Sequence, residues 1–140
     1  VADSDVEEVR QAGKFLADIR QALLRLHKTL LEWERSGYER IHGRQSSNDL
    51  LKALLNDPQF AWLRPMSQLI VRIDELLDED TPPMRNDVEA VVSQVKALTT
   101  PNESGNIYER RYDMALQENP DAVFAHRDVV ALLKSGDSRF

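Results

Sequence analysis

Apolar side chains recur every third and fourth position from Val9 to Trp33, and this spacing is the strongest signal in the chain. One register carries Val9, Leu16, Leu23 and Leu30; the other carries Ala12, Ile19, Leu26 and Trp33. At 3.6 residues per turn these positions share one side of a helix. Phe15, Ala22, Leu24 and Leu31 widen the stripe beyond a coiled-coil seam, which predicts more than one helical neighbour. Ser4 and Glu7 have capping-box spacing, and Asp5, Glu7 and Glu8 add negative charge where the helix dipole is positive. The repeat fades at Gly37 and Arg40, resumes at Ile41 and meets a stop at His42-Gly43. A helix from Ser4 to His42 would be ~57 Å long, whereas a compact globule of this chain length is only ~37 Å across. The excess predicts an elongated bundle, a bend near Gly37, or an end that packs on a second subunit.

The remaining pattern is helical but more interrupted. Residues 43–48 read as a loop, with Ser47 or Asn48 capping a short helix that carries Leu50, Leu51, Leu54 and Leu55. Asp57-Pro58 can start another helix, and Pro65 predicts a kink or break. Met66, Leu69, Ile70, Ile73, Leu76 and Leu77 define a core helix ending near Asp80. Asp80 or Thr81 is expected to cap a helix with Pro82-Pro83 in its first turn, followed by Met84, Val88, Val91, Val92, Val95 and Leu98. A polar loop, 99–106, precedes a helix with Ile107, Tyr108, Tyr112, Ala115 and Leu116. Asn119-Pro120-Asp121 restarts the chain, and the final helix carries Val123, Phe124, Val129, Val130, Leu132 and Leu133 before Gly136 ends it. The expected fold is one all-α domain, 1–140: an up-and-down bundle of four main helices, the N-terminal helix longest and the C-terminal ones short and broken.

Composition narrows the function classes. The 140 residues are enough for one domain with its own core. With no cysteine, disulfides and thiolate chemistry are excluded. A net charge of −6 argues against a nucleic-acid partner, although Arg20, Arg25, Lys28, Arg35 and Arg40 are basic positions on the first helix, interleaved with Glu32, Glu34 and Glu39. No run approaches the ~20 apolar residues of a membrane span, and no basic-then-apolar leader is visible.

Chemistry-bearing patterns are sparse. Glu39-Arg40-Ile41-His42 has the Glu-x-x-His spacing of di-metal bundles, but in a single copy. His27 and Glu34, seven apart, with His126 could supply ligands for one ion. A charged helix end is the simpler reading of both, so no metal, cofactor or catalytic residue is expected. Phe60, Trp62 and Arg64 flank the Pro65 break, where a pocket or interface can form; their simpler reading is Phe60 and Leu63 as core plugs with Trp62 over a seam. No Gly-x-Ser-x-Gly elbow, phosphate-binding glycine loop or calcium loop is present.

Tyr38-Glu39-Arg40-Ile41-His42-Gly43, the run Asn56-Asp57-Pro58-Gln59-Phe60-Ala61-Trp62-Leu63-Arg64-Pro65 and Ile73-Asp74-Glu75 resemble a family of small bacterial all-helical proteins of uncharacterised function. The resemblance implies a bacterial cytoplasmic protein and carries over no site. The expectation is therefore a non-enzymatic interaction or regulatory module, self-associating through the long first helix. The alternative is a small-molecule- or metal-binding bundle using His27, Glu34, Glu39 and His42 or the Trp62 region.

Overall fold

The computed structural model describes the backbone of residues 3–78 and 80–139 and the side chains of residues 5–78 and 80–136. The described residues form seven helices: α1 (Asp3–His42), α2 (Ser47–Asn56), α3 (Pro58–Ala61), α4 (Arg64–Asp78), α5 (Arg85–Leu98), α6 (Ile107–Glu118) and α7 (Pro120–Arg139). The fold is all-α, as the periodicity predicts.

The organising helix, α1, runs unbroken for 40 residues through Gly37. Ala12, Phe15, Leu16, Ile19, Ala22, Leu23, Leu26 and Leu30 are all buried. A fully buried leucine contributes about 1.5–3 kcal/mol, so this stripe is the main source of cohesion. Glu7 engages Arg10 and Gln11; the Ser4 half of the expected capping box lies outside the described side chains. Gly43 ends the helix with φ of 81°, a left-handed turn that only glycine adopts without strain, and its N–H donates to the Glu39 carbonyl.

Cross-helix contacts set the topology. Arg20 pairs with Asp74 and Glu34 with Trp62, so α4 runs antiparallel to α1. Arg25 reaches Asp128, and Phe15 lies against Gly136, so α7 is also antiparallel to α1. The Pro83–Arg85 segment meets the start of α1, while the Leu98 carbonyl at the other end of α5 accepts from Tyr108. The four main helices α1, α4, α5 and α7 thus alternate in direction, and α6 links α5 to α7 at the end where α1 finishes.

Several boundaries differ from expectation. Ser46, not Ser47 or Asn48, caps α2, its Oγ accepting from Asp49 N–H at 3.1 Å. Pro82-Pro83 stays outside the helix; α5 starts at Arg85, where the Asp87 carboxylate accepts from Met84 N–H at 2.9 Å. Asp57 caps α3, and the chain breaks before Pro65, as predicted. Asn106 and Glu109 form a reciprocal capping box on α6.

The largest departure is in α7. Its buried face is Ala122, Ala125, Val129 and Leu133, whereas Phe124 is 60% exposed. Gly136 does not end the helix, which continues to Arg139. A Cβ built on Gly136 would sit 2.6 Å from Phe15 Cζ. The small residues let α7 approach α1 closely enough for the Phe15 ring to lie on its backbone.

Candidate functional site

Glu34 continues the core stripe of α1 one turn beyond Leu30, and it is 2% exposed. A carboxylate there is costly unless fully paired. The Trp62 indole N–H donates to its Oε1 at 2.9 Å. Arg111 Nη2 donates to both carboxylate oxygens, at 2.7 and 2.6 Å. The Arg111 guanidinium also lies 4.8 Å from the centre of the Trp33 ring, a cation–π contact.

The elements that bring these groups together follow from local sequence. Pro58 and Pro65 each open a helix, and the short link between α3 and α4 turns Trp62 inward. The capping box at Asn106 fixes the start of α6 and with it Tyr108, Arg111 and Tyr112 on one face. Trp33 meets Trp62 edge-on at 6.4 Å, Trp62 meets Tyr108 at 5.4 Å, and Tyr108 stacks on Tyr112 at 6.0 Å. Tyr112 shares a 2.6 Å hydrogen bond with His126 Nδ1. Burial pushes the pKa of both tyrosine hydroxyls upward, so they stay protonated.

Above this cluster lies a cleft of about 810 Å³. Trp33, Gly37 and Ile41 of α1 form one wall; Ile107, Arg111, Met114 and Glu118 of α6 form the other; Ala61 and Trp62 lie between them. Ile41 is 75% exposed, Ile107 65% and Met114 44%. Arg40 and Glu118, both lining the cleft, have no ion-pair or hydrogen-bond partner among the described residues.

The predicted site residues disperse. Glu34 and Trp62 are central to the cluster. Phe60 is buried beneath Tyr38 at 5.4 Å, and Arg64 donates to the Leu55 carbonyl rather than lining the cleft. Glu39 accepts from Arg35 at 2.7 Å, and exposed His42 lies tilted against the Tyr38 ring at 4.3 Å. His27 lies seven residues from Glu34, about 10 Å along the axis. Among the described residues no three acidic or histidine side chains could together hold a metal ion. Glu34, the best placed of the candidates, has its oxygens taken by Arg111 and Trp62. Of the basic positions on α1, Arg20, Arg25 and Arg35 face Asp74, Asp128 and Glu39.

Arg111 carries no local sequence signal, and Trp33 and Tyr108 read from sequence only as members of apolar stripes. Glu34 offered the one clue: a carboxylate at a core position of a helix demands a cation from elsewhere. No described helix is long and apolar enough to cross a membrane. No family model, no curated protein and no solved structure matches the chain. The motif resemblance therefore adds no residue role, and the site rests on its own geometry.

Burial pushes the pKa of His27 and of His126 below the ordinary value near 6.5. The unfolded chain then takes up protons that the folded chain resists, so this contribution is complete above pH ~6.5 and is lost as pH falls toward the depressed values. Calorimetry should show Tm falling from pH 7.5 to 5.0, with a shallower slope in the His27→Gln variant. An unchanged slope in that variant would remove His27 from the account.

Proposed function

We propose that the protein is a non-enzymatic interaction module that takes an apolar helical segment into the cleft between α1 and α6. The observation that carries this reading is the cleft's make-up. Exposed Ile41, Ile107 and Met114 stand over two indoles, while Arg111 and Glu34 neutralise each other beneath them. Two splayed helices with apolar walls suit a helix that anchors through side chains one turn apart. The same surface would serve self-association, and no nucleic-acid partner is proposed, because the net charge is −6 and Arg20, Arg25 and Arg35 of α1 face carboxylates. A bacterial cytoplasmic setting is proposed from the motif resemblance.

A second reading has one specific support. The cleft volume of about 810 Å³ falls within the usual range for small-molecule sites, and Arg40, which lines the cleft with both indoles and has no partner among the described residues, suits an acidic aromatic compound.

Both tryptophans of the chain line the cleft, so indole emission reports on it directly. A synthetic amphipathic helix with leucines at i and i+4 should shift that emission saturably, with Kd on the order of 10–100 µM. Met114→Glu, at an exposed position, should weaken binding at least tenfold. No shift with 1 mM peptide would sink the helix reading, and a shift produced by anilinonaphthalene sulfonate alone would favour the small-molecule one.

A further inference from the structure

Helix α2 has the composition of a core helix without the burial of one. Leu50, Leu51, Leu54 and Leu55 occupy four of its ten positions, yet Ala53 is its sole buried residue. Leu51 is 55% exposed and Leu55 63%. They are one turn apart, so they project side by side from the same face. Beside them on the helix surface stands Lys52, which has no partner among the described residues. Exposing a pair of adjacent leucines forgoes part of the stabilisation that burial would bring, and nothing within the described chain covers them.

The cleft has the matching features. It presents apolar side chains in a furrow between helices, with two charges that have no partner among the described residues, Glu118 of α6 and Arg40 of α1, so that a cation is matched on the α6 side only. Helix α2 follows α1 after a four-residue turn, and Ile41 of the cleft lies in the last turn of α1. The donor helix and the acceptor furrow therefore sit at the same end of the molecule. That proximity is what a closed twofold dimer requires, since each copy must give and receive through one continuous patch.

We propose that the occupant of the cleft is α2 of a second copy of this chain, exchanged reciprocally. Leu51 and Leu55 of one protomer enter the furrow of the other, and Lys52 faces Glu118 across the interface. The inference rests on the cleft being a helix-binding site. A pair of ten-residue helices makes a small interface, near the lower bound of ~1,200 Å² for stable complexes, so the dimer should dissociate on the order of 10 µM.

The test uses the full chain and two surface variants. Leu51→Glu/Leu55→Glu removes the donor, and Ile107→Glu/Met114→Glu spoils the acceptor. All four positions are exposed, and thermal melts establish that both variants are folded. Sedimentation velocity from 1 µM to 1 mM should show the wild type passing from monomer to dimer and each variant alone staying monomeric. An equimolar mixture of the two variants should recover a dimer at least tenfold weaker than wild type, because one donor–acceptor contact of the two is then intact. A mixture that stays monomeric while wild type dimerises would overturn the exchange, as would a wild type monomeric at 1 mM. In those cases the synthetic helix separates the two levels. If it still shifts the tryptophan emission, only self-occupancy fails; if it does not, the cleft reading fails as well.

Discussion

Replacing Arg111 by alanine should lower folding stability by about 3–5 kcal/mol, the usual cost of stranding one member of a buried ion pair. Glu34 is 2% exposed and would keep only the indole N–H of Trp62 as a partner. Arg111 itself is partly exposed, with a side chain 31% accessible, so the cost arises on the glutamate side. Losing the guanidinium also removes the cation over the Trp33 ring, worth about 0.5–1 kcal/mol. The control is Glu34→Gln in the Arg111→Ala background. It removes the stranded charge while keeping an acceptor for Trp62, and should recover at least ~1.5 kcal/mol. Urea denaturation at pH 7 measures all the variants. An Arg111→Ala protein within ~1 kcal/mol of wild type would mean that water reaches Glu34 and that the cleft floor is not dry.

Indole emission ties this stability effect to the site. Trp33 and Trp62 both border the ion pair, so Arg111→Ala should change the folded-state spectrum as well as the denaturation midpoint. A charge-free pair that keeps an acceptor for the Trp62 indole, Glu34→Gln/Arg111→Met, should fold with near wild-type stability, because a buried ion pair is often replaceable by uncharged side chains of similar volume once its remaining partner stays hydrogen-bonded.

How far the sequence foretold this structure depends on which forces acted alone. Burial of a single helical face is periodic, so α1 and α4 were legible from Leu16, Leu23 and Leu30 and from Met66, Leu69 and Ile73. Caps were less so. Ser46, Ser47 and Asn48 are adjacent and all competent, and the choice among them depends on where α2 must point. Pro82-Pro83 fits a first helical turn and an extended link equally well, since both fix φ near −65°. The face of α7 differs from expectation because large apolar residues such as Phe124 suggest burial, whereas close approach to α1 selects small residues, Ala122 and Ala125 along the helix and Gly136 against Phe15. Within the site, Trp62 was marked by the proline breaks on either side of it. Arg111 was not marked, because its partner Glu34 lies 77 positions away, and pairing at that distance leaves no local pattern.

The contact between Phe15 and Gly136 yields the second large effect. Phe15 is fully buried, and Phe15→Ala should cost about 3–5 kcal/mol through lost transfer energy and the cavity left behind. Gly136→Ala acts on the same space from the other side. In a helix interior, alanine is favoured over glycine by about 0.8–1 kcal/mol. In the wild-type protein that gain meets a Cβ 2.6 Å from the Phe15 ring, inside any acceptable contact, so the substitution should be net destabilising by about 1–3 kcal/mol. With Phe15 already reduced to alanine, the obstruction is gone. The same Gly136→Ala change should then stabilise the protein by up to ~1 kcal/mol, partly refilling the void. The sign of the effect at position 136 therefore reverses with the residue at position 15, and a double-mutant cycle in urea should return a coupling of about 1–3 kcal/mol. Additive behaviour would mean that α7 shifts away from α1 to accept the methyl group, and that the small-residue face is not what sets the spacing of the two helices.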